Sequence, residues 1–205
     1  MTIQFYGGTC LRLEAKGVVL VTDPFDKSTG LTPPRFEDAV VLASHPSYAH
    51  SSIAGNPYVI SGPGEYDIKE ITVEGLPITH EDTAYIINFD ELTLMHFGAL
   101  SSATEQDLES ALKDVSDNID ILLLPIGYPL GAKAAATLAQ LIEPKMIILT
   151  GYALKGETVK RGKFADFTKV GGTPSRKEER LAIKKKDLEG KDGEIIELTS
   201  PYGVL

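Results

Sequence analysis

The chain is poor in several residue types that would otherwise shape its fold. Of 205 residues, one is cysteine, three are methionine, none is tryptophan and only four are histidine. A single cysteine, Cys10, cannot close an internal disulfide, so stability has to come from a packed core, and a reducing, cytoplasmic setting is expected. No apolar run approaches the roughly 18 residues needed to span a bilayer. The opening MTIQFYGGTC has neither a basic start nor a long apolar stretch, so no signal peptide and no membrane partner are expected. There is no internal repeat and no low-complexity tract. Positive charge is also scarce: 20 Lys+Arg face 29 Asp+Glu, a net charge of −9. That balance opposes non-specific binding to phosphate backbones and makes nucleic acid an unexpected partner.

What is present suits a folded domain. Hydrophobic residues make up 42% of the chain and charged residues 24%, too apolar a mixture for disorder and enough to bury a sizeable core. Residues 1–205 read as a single domain, with 155–182 the least legible part. The charge is uneven. Residues 1–150 hold eight Lys+Arg against 20 Asp+Glu, and the remaining 55 hold twelve against nine, giving −12 and +3. The basic clusters Lys160-Arg161-Gly162-Lys163 and Lys184-Lys185-Lys186 read as a solvated face, since no aromatic residues interleave them to favour nucleic acid.

The first hundred residues are β-rich. Thr2–Tyr6, Cys10–Ala15 and Val18–Thr22 form a meander broken at Gly7-Gly8 and Lys16-Gly17. Asp23-Pro24 ends the third strand, because proline has no N–H to give a ladder. Residues 25–36 read as a long loop or lid. Ala39–Ala43 is a buried strand, and Tyr58–Ser61, Ile71–Val73, Ala84–Asn88 and Leu92–Met95 are further strands, with a turn at Gly62-Pro63-Gly64. Helical spacing of Leu108, Leu112 and Val115 behind an N-capping Thr104 predicts a helix over 104–115. A strand over 119–125, a helix over 131–142 stopped by Glu143-Pro144, and a strand over 146–149 follow. A helix over 163–170, a connector over 170–175 and strands over 181–185 and 194–198 complete the chain. This order predicts an α/β layered domain with helices covering sheet faces.

The chemistry-bearing residues gather after the Ala39–Ala43 strand, in Ser44-His45-Pro46-Ser47-Tyr48-Ala49-His50. Active-site groups collect at such strand ends, although two histidines five apart also suit local capping and hydrogen bonding. His96, ahead of Phe97-Gly98, reads as a packed or hydrogen-bonded residue near a cavity. His80 stands before Glu81 and Asp82, which it can pair with as readily as it can bind a metal. Glu65 reads as a turn carboxylate, and Cys10 as an inert buried thiol.

Over about residues 1–152 the chain resembles the metallo-β-lactamase-fold superfamily, in particular its small UlaG-like branch of zinc-dependent hydrolases. The resemblance is carried by Tyr6-Gly7-Gly8-Thr9-Cys10, Val21-Thr22-Asp23-Pro24-Phe25, Ser44-His45, Ile60-Ser61-Gly62-Pro63-Gly64-Glu65-Tyr66, His80-Glu81-Asp82, His96-Phe97-Gly98, the run from Asp120 to Gly127, and Glu143-Pro144-Lys145. It implies an αβ/βα four-layer sandwich with mixed sheets. It also implies a dinuclear metal site whose ions lower the pKa of a shared water.

Members of that superfamily carry a metal loop H-x-H-x-D-H. Here His45 and His50 match, while Ser47 and Ala49 stand at the second His and the Asp. His80 matches the third motif. Ala99 falls at the bridging Asp, and Gly151 at the last His. Asp23 matches a residue that orients a ligand His from behind. The resemblance therefore implies residual metal ligands at His45, His50 and His80, no catalytic residues, no expected cofactor, and a scaffold acting with a protein partner or a second copy. The alternative is a mononuclear zinc hydrolase of an ester, lactone, amide or phosphodiester, assisted by Glu65 or Asp82. Restoring Ser47→His, Ala49→Asp, Ala99→Asp and Gly151→His together is expected to recover metal binding where the backbone matches the superfamily.

Overall fold

The computed structural model describes residues 1–48, 53–100, 103–113, 115, 118–127 and 130–205, with the side chain of Glu105 left aside. Two mixed sheets pack face to face. The first runs in the order β13 (Leu181–Ala182), β1 (Thr2–Gly7), β2 (Cys10–Ala15), β3 (Val18–Thr22), β4 (Val40–Ala43), β5 (Tyr58–Ser61). The second runs β12 (Arg176–Glu178), β14 (Glu194–Leu198), β11 (Met146–Thr150), β10 (Ile121–Pro125), β9 (Leu92–His96), β8 (Thr83–Phe89), β7 (Ile71–Pro77), β6 (Gly64–Ile68). Helices α1 (Glu105–Leu112), α2 (Gly131–Ile142) and α3 (Phe164–Thr168) belong to the connections of the second sheet. The layered α/β class expected from the sequence is the one observed.

Pairing follows the connections. Short turns give antiparallel neighbours: β1–β2–β3 in the first sheet, and β6–β7–β8–β9 in the second. Longer crossovers give parallel ones: β3–β4–β5, and β9–β10–β11–β14–β12. Burial matches the period of each strand. β1 alternates between half-buried and buried residues, as expected of a strand covered on one face. β10 and β11 are buried at every residue, because the first sheet covers one face and helices such as α2 cover the other. The C-terminal ends of the parallel strands thus converge between the sheets.

Caps mark the helix ends. Thr104 Oγ1 accepts from the Asp107 N–H while Asp107 accepts from the Thr104 N–H, a reciprocal box worth about 1 kcal/mol. Glu143 closes α2 in a left-handed conformation, donating its N–H to Ala139 O ahead of Pro144. The strand expected over 181–185 is shorter, Leu181–Ala182, and gives way to a 3-10 turn over Lys185–Leu188. β7 runs to Pro77, well past its expected end. Two strands were not expected. β6 occupies what reads as a turn, so Glu65 lies exposed on a strand opposite Glu74. β12 is a charged edge strand.

At the N-terminal ends of the parallel strands sits a fully buried carboxylate, Asp120. It accepts from the Thr93 N–H at 3.0 Å, Lys145 Nζ at 2.8 Å and Lys185 Nζ at 2.5 Å. Lys185, from a cluster read as a solvated face, is therefore partly structural. Burial pushes the Asp120 carboxyl up, but the two lysines and the Thr93 N–H outweigh it and hold it below the ordinary carboxylate range. A lowered folded-state pKa adds stability above the unfolded value near 4, and that stability is lost as pH falls through the lower folded value. We expect Asp120→Asn to lose about 2–4 kcal/mol at pH 7 in urea denaturation. The gap to the wild type should close as the pH drops below about 4; a gap independent of pH would contradict this role.

Candidate functional site

At the opposite, C-terminal ends of the strands lies a second buried carboxylate, Asp23, immediately after β3 and 1% exposed. A carboxylate has only acceptors to offer, and burial without donors would cost several kcal/mol. Four donors reach it. Thr9 Oγ1 donates to Oδ2 at 2.7 Å, Ser44 Oγ to Oδ2 at 2.9 Å, the Ser44 N–H to Oδ1 at 2.7 Å, and His96 Nε2 to Oδ2 at 2.9 Å. Thr9 comes from the β1–β2 turn, Ser44 from the end of β4 and His96 from the end of β9, so the contact ties one sheet to the other. His96 is fully buried and its Nδ1 has no partner among the described residues. Donation to the Asp23 carboxylate fixes the proton on Nε2, leaving Nδ1 a bare acceptor.

Ser44 extends the cluster. Its Oγ accepts from the Ala99 N–H at 3.2 Å, and its carbonyl accepts from the Thr83 N–H at 2.9 Å. The turn after β9 reaches this close only because residue 98 is glycine. Gly98 has φ +67°, and a Cβ there would lie 2.0 Å from both Cβ and Oγ of Ser44. Cys10 is buried next to Asp23, and burial followed by the Asp23 charge pushes its thiol well up, so it stays protonated and unreactive, as the sequence indicates.

His45 follows Ser44 and is half-buried. Its Nδ1 accepts from the Ser47 N–H at 3.2 Å and lies 2.8 Å from Ser47 Oγ, while Nε2 faces Glu81 Oε2 at 3.3 Å. With Nδ1 used as an acceptor, the Nε2–H is the group pointing at Glu81. Glu81 is the neighbour of His80, so the loops bearing His45 and His80 are adjacent, but His80 itself is exposed. Asp82 is buried and accepts from Thr79 Oγ1 at 3.0 Å. His50 and Ala49 lie outside the described residues. Among the described residues, no group of three or more His, Cys, Asp or Glu is arranged to hold a metal ion.

The donor chemistry agrees with that geometry. Ala99 carries no donor. Asp23 is hydrogen-bonded to His96, a residue that reads in the sequence as packed or hydrogen-bonded. Gly151 has φ +70°, and a Cβ on it would lie 3.2 Å from Pro125 Cβ. A histidine there is strained, so the four-residue restoration is not a matter of side chains alone. Ala99 and Gly151 thus offer no side-chain donor at two of the positions where the resemblance expects a ligand.

A second group of residues closes the space over Asp23. Tyr48 ends the 3-10 turn Pro46–Tyr48, and its phenol side chain lines the same cavity as Thr9 and Arg161. Burial, and then the Asp23 charge, push that phenol up to about 12, with the Arg161 guanidinium pulling the other way. Arg161 Nε donates to Glu157 Oε1 at 2.7 Å, and their side chains are 10% and 2% exposed. Tyr48, Arg161, Glu157, Thr9 and Asp23 line one cavity of about 20 Å³, room for little more than a water molecule. Nothing in the sequence marks Arg161, which reads there as part of a solvated basic cluster. Ser44 and Thr9 were legible only as members of motifs.

The close approach at Gly98 gives a direct test. Gly98→Ala is expected to cost about 3 kcal/mol or more in denaturant unfolding, from the clash with Ser44 and the positive φ together. A loss below about 1 kcal/mol, the scale of an ordinary helix or strand Gly→Ala change, would mean that the Ser44–Asp23 contact is not rigid.

Comparison with known proteins agrees with this architecture. Residues 2–150 match the family model of the beta-lactamase superfamily domain. No curated protein matches. Among solved structures, a proposed Zn-dependent hydrolase of the metallo-beta-lactamase superfamily from Thermotoga maritima is 28% identical, with a TM-score of 0.77 over 97% of this chain and 98% of that one. A proposed metal-dependent hydrolase from Parabacteroides distasonis is 19% identical, with a TM-score of 0.59 over 96% and 93%. Igni18, a metallo hydrolase from Ignicoccus hospitalis, is 14% identical, with a TM-score of 0.54 over 100% and 97%. The last two show a shared fold. With its two mixed sheets, its motif-bearing strand ends and a family match over most of its length, the chain belongs to the metallo-beta-lactamase superfamily.

Proposed function

We propose that this chain is a non-catalytic member of the superfamily, one that keeps the fold as a binding, regulatory or assembly scaffold for a protein partner or a second copy. The observation that carries this reading is the use of Asp23. Its acceptors are taken by Thr9, Ser44 and His96, and Tyr48 and Arg161 close over it. Hydroxide generation at neutral pH needs a cation held by deprotonated or neutral nitrogen and oxygen ligands, with a position open to water. Ser47, Ala99 and Gly151 supply none of those ligands where the superfamily resemblance expects them. Loss of several ligands disables a dinuclear site, because binding both ions depends on the ligand set.

One observation favours a second reading. The His45–Glu81 contact brings the His45 loop beside the loop of His80, and a mononuclear zinc site drawing on His45, His80 and His50 would support hydrolysis of an ester, lactone, amide or phosphodiester. The two readings separate on metal content. Protein expressed with zinc present and then desalted should carry well under one metal per chain by elemental analysis, and a chelator should leave its melting temperature unchanged. About one tightly bound zinc per chain, lost in His45→Ala, would establish the second reading and remove the first.

A further inference from the structure

The segment from Ala153 to Gly162 is a closed loop. The Ala153 N–H donates to Gly162 O at 2.9 Å, so the two ends meet, and the loop is anchored at three further places. Leu154 is fully buried. The Lys155 N–H donates to Gly203 O at 3.1 Å, and Thr158 bonds through its N–H to Thr29 O at 2.8 Å and through Oγ1 to Ser28 O at 3.0 Å. These anchors aim two charged side chains inward. Glu157 is held by the Leu154 N–H at 3.4 Å and by Arg161. Arg161 lies along two glycines: a Cβ built on Gly127 would be 3.4 Å from Arg161 Cβ, and one built on Gly8 would be 3.3 Å from Arg161 Nη2. Larger residues at those positions would push the guanidinium out.

Asp23 only accepts, so Thr9 spends its single hydroxyl proton on it. Tyr48 lines the same cavity as Thr9 and Arg161. The charged side chains on this cavity are Glu157, Arg161 and Asp23, one cation between two carboxylate-bearing residues of its lining. A planar fork with five donors suits this place, since Nε serves Glu157 while Nη2 lies against Gly8, which an ammonium point charge cannot do as well.

We propose that the pocket over Asp23 is a guanidinium-binding site, formed by Glu157, Tyr48 and the close approach at Gly8, and occupied in cis by Arg161. The resident cation of this pocket is a tethered arginine delivered by the 153–162 loop, and the pocket admits no outside ligand while the loop is seated. The inference rests on the reading of the site as metal-free only in treating Arg161 as its cation; metal content tests that reading, and the experiment below fails independently of it.

The test is chemical rescue. Arg161→Ala removes the ligand but leaves its binding groups, and should lower the melting temperature by about 4 °C or more for a chain of this size. Free guanidinium in the low millimolar range, well below denaturing levels, should restore much of that loss, while sodium chloride at equal ionic strength should not. The losses from Arg161→Ala and Tyr48→Phe should be less than additive in the double variant. Should Arg161→Ala not fold, the wild type carries the test: among its five arginines, one Nε–H should resist solvent exchange at pH 8 in NMR spectra, and Arg161→Lys should delete that signal. No loss on substitution, equal rescue by sodium, additive losses, or rapid exchange of every arginine Nε–H would each overturn the proposal.

Discussion

The interaction on which the rest depends is the desolvation of one carboxylate. Asp23 sits between two sheets at 1% exposure, where an ionised group survives only if protein donors replace its water. Those donors come from the β1–β2 turn, the end of β4 and the end of β9. The need to gather them fixes how the strand ends of one sheet meet those of the other. It also explains local oddities. Asp23 itself has φ +40°, a left-handed conformation that turns the chain out of β3 and aims the carboxylate inward. Gly98 is bare because Ser44 occupies the space its side chain would need.

A comparison of the molecule's two buried carboxylates sharpens what this site is. Asp120, at the N-terminal ends of the parallel strands, is bonded to two lysines whose stems reach solvent, and acts as a bolt between β9, β10 and the loop after Ala182. Asp23, at the C-terminal ends, is bonded to neutral hydroxyls, a backbone N–H and an imidazole. In layered α/β folds the C-terminal strand ends are where ligands bind. Here the carboxylate at those ends is surrounded by the chain's own side chains, and Tyr48 and Arg161 line the cavity beside it.

Much of the fold was legible in the sequence because strands with one wet face and clean punctuation declare themselves. Cys10–Ala15, Val18–Thr22, Tyr58–Ser61 and Glu194–Leu198 are bounded by Gly, Pro or charged turns, and their observed limits match the expected ones. β6 and β12 escaped detection for the opposite reason. Each is an edge strand with little burial, so neither its alternation nor its composition stands out from a turn. At the site, the sequence supplies the positions along the chain but not the partners. His96 and Cys10 could be placed as buried, since the runs around them are apolar. Arg161 could not, because the closure of a loop between Ala153 and Gly162 is a tertiary event that leaves no periodic trace in a stretch of Lys, Gly and Thr.

With only four histidines, imidazole nitrogen NMR during a zinc titration reads the central claim directly: that Asp23 is served by the protein's own donors and His45 is not part of a metal centre. The account predicts that His96 stays the Nε2–H tautomer, with an unprotonated Nδ1 throughout, and that the resonances of His45 and His80 show no saturable shift at one equivalent of zinc. Joint movement of the His45, His50 and His80 signals in slow exchange, complete at one zinc per chain, would contradict it.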